Sequence, residues 1–98
     1  MLKETRNGKG VMTWRIDPIE LLQEEKYLNY LVHLGGVSQV AANTKRIVAF
    51  YPMFGGVRRQ IRTMLKDSAR QWQHKHKTPW PGPNPDALPI LAFKRAAS

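Results

Sequence analysis

The sequence predicts a mainly α-helical fold, with three short helices at about 18–34, 38–51 and 57–74. An N-terminal arm and a proline-rich tail flank them. Three observations carry this. A helix-capping pattern stands at Asp17-Pro18, apolar residues recur at helical spacing along two later stretches, and prolines at 79, 81, 83, 85 and 89 exclude helix beyond residue 78. The chain divides into a basic N-terminal arm (1–16), a small helical body (17–77) and an extended tail (78–98).

In the arm, "RNGKG" reads as a turn and "VMTWRI" as a short extended piece. The first helix opens at "IDPIE": Asp17 suits the N-cap, Pro18 the first helical position, and Glu20 the third place of a capping box. Apolar residues follow at Leu21, Leu22, Leu28, Leu31, Val32 and Leu34, and Gly35-Gly36 supplies the stop.

The second helix has the cleanest period. Val37, Val40, Ala41, Thr44, Ile47, Val48 and Tyr51 repeat at three and four, with Ser38 as the expected cap and Pro52 as the end. Lys45 and Arg46 lie off this stripe. "PMFGG" reads as a hinge. In the third helix Val57, Ile61, Met64, Leu65, Ser68 and Trp72 share one face. Arg59, Arg62, Lys66 and Arg70 share another, with Arg58 beside them. From Arg59 to Arg70 this ridge spans about 16 Å. The tail reads as polyproline-like chain ending in an apolar peg, "ILAFK". Trp80, between two prolines, is expected to fill a pocket outside the chain's own helical core, together with Ile90, Leu91 and Phe93 of the peg.

At 98 residues the chain has room for one small domain with a marginal core. It has no cysteine, so neither a disulfide framework nor a thiolate metal site is available. That composition, and a start without a long apolar run, give the expectation of an intracellular rather than secreted protein. The net charge is +9, which calls for an anionic partner. Residues 57–77 hold seven Lys or Arg against Asp67 alone, two thirds of the net charge. Residues 27–44 are uncharged, but Asn29, His33, Gln39, Asn43 and the Gly35-Gly36 pair disfavour a membrane span.

Catalysis has little support: there is no paired-carboxylate site, no phosphate-binding loop and no nucleophile with a base. His74 and His76 fall on different helix faces, and no metal site or cofactor is expected. A helix-turn-helix DNA reader is disfavoured, because the link "YPMFGG" is longer than the usual tight turn.

The expectation is therefore a non-catalytic structural subunit of a large assembly. A mitochondrial membrane complex, such as a respiratory-chain or ATP synthase complex, is favoured. The alternative is a ribosomal RNA-binding subunit. In both readings Arg58, Arg59, Arg62, Lys66 and Arg70, with Lys45 and Arg46, meet the anionic partner, either lipid headgroups or RNA phosphates. Other protein subunits meet Trp80 and the peg.

Overall fold

A computed structural model of the chain describes residues 2–6 and 12–89. It is mainly helical. Two antiparallel strands, β1 (Leu2–Arg6) and β2 (Met12–Ile16), precede α1 (Pro18–Leu34), α2 (Val37–Phe50) and α3 (Gly55–His76). A single 3₁₀ turn, Pro85–Ala87, interrupts the tail. The strands pair Leu2 with Ile16 through to Arg6 with Met12. The N-terminal segment is therefore partly a β-ribbon, and its last residue belongs to the core: Ile16 is fully buried.

The start of α1 follows from its capping residues. Asp17 accepts a hydrogen bond from the Ile19 N–H at 3.3 Å, and Pro18 occupies the first turn. Gly35 ends the helix in the left-handed conformation (φ 75°), where its N–H donates to the carbonyls of Leu31 and Val32. A side chain at Gly35 would be strained by that φ and would also meet the His76 ring at 2.9 Å.

α2 begins at Val37 and is capped by Gly36 without any side-chain hydrogen bond, so the expected Ser38 cap is replaced by backbone. Thr44, buried on the apolar stripe, satisfies its hydroxyl on the Val40 carbonyl at 2.7 Å. α3 starts two residues before the expected position and ends two after it, taking Gly55-Gly56 into its first turn. Gly56 is required by proximity: a Cβ there would lie 3.0 Å from the Trp14 carbonyl oxygen. The glycine lets β2 cross close over the start of α3.

All six residues of the α3 apolar face (Val57, Ile61, Met64, Leu65, Ser68 and Trp72) are buried. They meet Leu28, Leu31 and Val32 of α1, Val40, Ile47 and Tyr51 of the α2 stripe, and Leu88 of the tail in one core. α1 behaves differently. Leu22 and Leu34, expected on its apolar face, are about half exposed or more, as are Ile19, Tyr27 and Tyr30. Large apolar side chains thus also stand on the side of α1 away from the core, among the exposed Gln23, Lys26 and His33.

Residues 78–89 are extended apart from the 3₁₀ turn, and they fold back on the body. Trp80 differs from its expectation. It packs edge-on against Trp72 of its own chain, ring centroids 6.3 Å apart, and donates from Nε1 to the Pro83 carbonyl at 3.1 Å. Trp72 in turn donates from Nε1 to Thr78 Oγ1. The Pro-Gly-Pro run thus wraps its own tryptophan. Ile90, Leu91 and Phe93 lie outside the described residues.

The uncharged stretch 27–44 is divided between α1 and α2 by Gly35. Among the described residues no helix is long and apolar enough to cross a membrane.

Candidate anion-binding surface

Burying the apolar face of α3 points its arginines away from the core. The helix carries them at spacings of three and four, so they form one ridge. The structure then divides that ridge into two parts with different electrostatics.

The C-terminal part is partly self-paired. Lys66 Nζ lies 3.4 Å from Asp86 of the tail, and Arg70 Nη1 lies 3.9 Å from Asp67. Lys66, Asp67 and Arg70 border a shallow cleft of about 380 Å³ that Arg62 and, from α1, Glu25 also line. Both pairs are well exposed, so each is worth about 0–1 kcal/mol and is readily exchanged for an outside anion.

The N-terminal part is unpaired. Arg59 is exposed and Arg62 half-buried, and neither makes an ion pair or hydrogen bond with another described residue. Arg58 is half-buried and donates from Nη2 to the Leu88 carbonyl at 3.2 Å, while its buried Nε has no acceptor. These three arginines and Gly55 line a cleft of about 270 Å³ with no carboxylate in its wall. The first turn of α3 contains no acid, and its N-cap residue, Phe54, offers no side-chain acceptor. The helix dipole therefore adds to the arginine charge there.

Lys45 and Arg46 stand elsewhere, on α2. Arg46 reaches across to Glu24 of α1 with both terminal nitrogens and also touches Asn43 Oδ1. Burial pushes the Glu24 carboxyl up. Hydrogen bonds from Arg46 and from the Tyr51 hydroxyl, with the Arg46 charge, outweigh it and hold Glu24 below the ordinary glutamate range. Arg46 is thus occupied within the chain. Lys45 is exposed and lines a separate, mostly apolar cleft with Val48, Pro81, Pro83 and Pro89.

The histidines are structural contacts. A ring nitrogen of His76 meets the Val32 carbonyl at 2.7 Å, and His33 Nδ1 lies 2.6 Å from Lys75 Nζ, so both tie the end of α3 to the end of α1. No cluster of three metal-ligating side chains occurs among the described residues.

Sequence reasoning missed the second surface, the exposed side of α1 with Ile19, Leu22, Tyr27, Tyr30 and Leu34. Its signal was present in the adjacent pair Leu21-Leu22: neighbours on a helix point about 100° apart, so one core cannot take both. Glu25 marks the side of α1 that faces the α3 ridge. Tyr30 and Ile19 lie about 120–140° around the helix from it. The basic ridge and the apolar side thus face different directions. Compared with known proteins, the chain matches no family model, no curated protein and no solved structure.

Proposed function

We propose that the chain is a non-catalytic structural subunit of a larger assembly, bridging a protein subunit on one side and an anionic surface on the other. The observation that supports this reading is the pair of exposed surfaces of different chemistry on one small body. The α1 side offers Ile19, Leu22, Tyr30 and Leu34, a large apolar exposure for a chain of this size, with Lys26 among them. The start of α3 offers unpaired arginines. Of the anionic surfaces, the lipid headgroups of a membrane complex fit best. The ridge needs only to lie along a charged plane, which a headgroup surface offers. The mitochondrial complex anticipated from composition is the specific form of this proposal. The second reading, a subunit on ribosomal RNA, is favoured by the arginine forks, whose planar geometry matches phosphates.

Fractionation of the tagged full chain from its own cells tests the proposal. Sedimentation with a large membrane-bound particle, unchanged by ribonuclease and released by salt together with detergent, is the expected result. A ribonuclease-sensitive particle selects the second reading. A free monomer in every fraction refutes both.

A further inference from the structure

We propose that the cleft at the start of α3, lined by Gly55, Arg58, Arg59 and Arg62, is a binding site for a phosphate monoester. This deepens the anionic-surface reading above and rests on it. Four features of the cleft carry the proposal.

The first is charge without compensation. Three guanidinium groups share the cleft, and no carboxylate lines it. The neighbouring part of the ridge has Glu25, Asp67 and Asp86 close by. Like charges brought together at one helix end cost stability unless an anion offsets them. Glu25 lines the two adjoining clefts, one with Arg59 and one with Arg62, but pairs with neither guanidinium among the described residues, so the offsetting anion is to come from outside.

The second is backbone donors. The N–H groups of Val57 and Arg58 turn back to the Phe54 carbonyl, at 3.1 and 3.4 Å. Those of Gly55, in the cleft wall, and of Gly56, which lines the adjoining cleft with Arg59, have no acceptor among the described residues. Gly55 itself has φ 53°, and a Cβ built on it meets nothing within 4 Å, so the backbone is open to a ligand at this point. Free N–H groups at a helix start, beside a bare glycine, are what an anion oxygen needs for direct backbone contact.

The third is anchoring. Arg58 Nη2 is held by the Leu88 carbonyl, so this guanidinium is placed before any ligand arrives, and less entropy is lost on binding. The tail that supplies Leu88 is itself fastened through Trp80 on Trp72.

The fourth is charge, which favours a monoester over a diester. Three guanidinium groups and no carboxylate in the cleft wall carry more positive charge than the single negative charge of a diester offsets. A terminal phosphate presents three oxygens and close to two negative charges. It is the better match to the charge. Two sources share this chemistry: a soluble phosphate monoester, and a lipid whose headgroup is a terminal phosphate.

The test uses the full-length chain, isotope-labelled and titrated with glycerol 3-phosphate, with dimethyl phosphate as the diester control. The amide resonances of Gly55 and Gly56 should move with the monoester and stay still with the diester. Arg59→Ala with Arg62→Ala should weaken monoester binding by about tenfold or more. Arg59→Lys with Arg62→Lys, which keeps the charge and the fold but loses the forks, should fall between. Phosphatidylcholine vesicles containing phosphatidic acid then separate the sources. Vesicle binding that glycerol 3-phosphate competes away identifies the lipid, whereas binding of glycerol 3-phosphate alone identifies the soluble ester. Equal shifts with dimethyl phosphate, or with an RNA oligomer lacking terminal phosphates, overturn the proposal in favour of diester binding. Unmoved glycine resonances in a chain that still assembles through its ridge also overturn it and leave the subunit reading standing. Monoester binding by a chain that joins no assembly does the reverse.

Discussion

Gln60 clasps Ile16 by both of its backbone polar groups. The Ile16 N–H donates to Gln60 Oε1 at 2.8 Å, and Gln60 Nε2 donates to the Ile16 carbonyl at 3.2 Å. One amide side chain on α3 thus serves as the missing neighbour of strand β2. The clasp also places Trp14 and Arg15 over the start of α3, where Gly56 leaves them room.

Replacing this side chain should therefore release the ribbon from the helix. Gln60→Ala leaves a buried residue's N–H and carbonyl without partners, a cost of about 1–3 kcal/mol. Gln60→Glu keeps an acceptor for the N–H but has no donor for the carbonyl, and should lie between. Urea unfolding of the three proteins checks the order. Equal stability in all three would show that Ile16 is held by packing alone.

The cluster of Tyr51, Glu20, Glu24 and Arg46 sets the pH response. The Tyr51 hydroxyl lies 2.6 Å from Glu20 and 2.8 Å from Glu24. Because Glu24 is held below its ordinary range, the folded state favours its carboxylate. That contribution is complete above the unfolded-chain value, about 4.3, and is lost as pH falls through the folded value. Tyr51 is shifted the other way, raised by burial and then by its bonds to Glu20 and Glu24. Its contribution is complete below about pH 10 and is lost as pH rises further. Stability measured across pH should fall at both ends. Glu24→Gln should flatten the acid limb, and Tyr51→Phe the alkaline one. Limbs unchanged by these substitutions would assign the pH response to other groups.

The tail should come away as a unit when its tryptophan is removed. Trp80 is only partly buried, so Trp80→Ala should cost about 1–2 kcal/mol, less than a full core deletion. The more telling readout is local. Loss of Trp80 should free Leu88, and with it the anchor of Arg58, so amide exchange should rise across 84–89 while the centre of α3 stays protected. Uniform exchange across the whole chain would mean instead that the tail and the body unfold together.

The helices were legible because their signals are local. Asp17-Pro18, Gly35 and Pro52 act within a turn of where they stand, and the α3 face from Val57 to Trp72 repeats regularly enough that every member is buried. What was not legible depends on partners far along the chain. Gln60 and Ile16 are 44 residues apart, Arg46 and Glu24 22 apart, and Arg58 and Leu88 30 apart. A polar side chain gives no sequence sign of which backbone group it will meet. The prolines on either side of Trp80 forbid helix, but they do not forbid an extended chain from turning back onto the core. The ridge was legible as a pattern, but its division into a self-paired part and a free part depends on Asp86, which the fold brings from the tail.

That division shapes the final prediction, charge reversal at Arg62 and Lys66 together. Arg62 is half-buried without a partner among the described residues, and Lys66 is exposed with a weak partner in Asp86. Loss of the exposed Lys66–Asp86 pair costs about 0–1 kcal/mol, and surface changes of this kind usually move stability by about 0.5 kcal/mol. Arg62→Glu with Lys66→Glu should therefore fold with nearly unchanged helix content, which circular dichroism can verify. Incorporation into the assembly should fail, because two anions then face an anionic surface. Raising salt should weaken the wild-type contact in the same direction, since the ridge is solvent-accessible and screened. The form of the salt dependence separates the partners. On RNA, two lost phosphate contacts lower the slope of log affinity against log salt by about two. On a membrane, binding follows the fraction of anionic lipid instead. A double mutant that folds and assembles like the wild type would show that the ridge is only a solvated helix face, with the work of assembly left to the apolar side of α1.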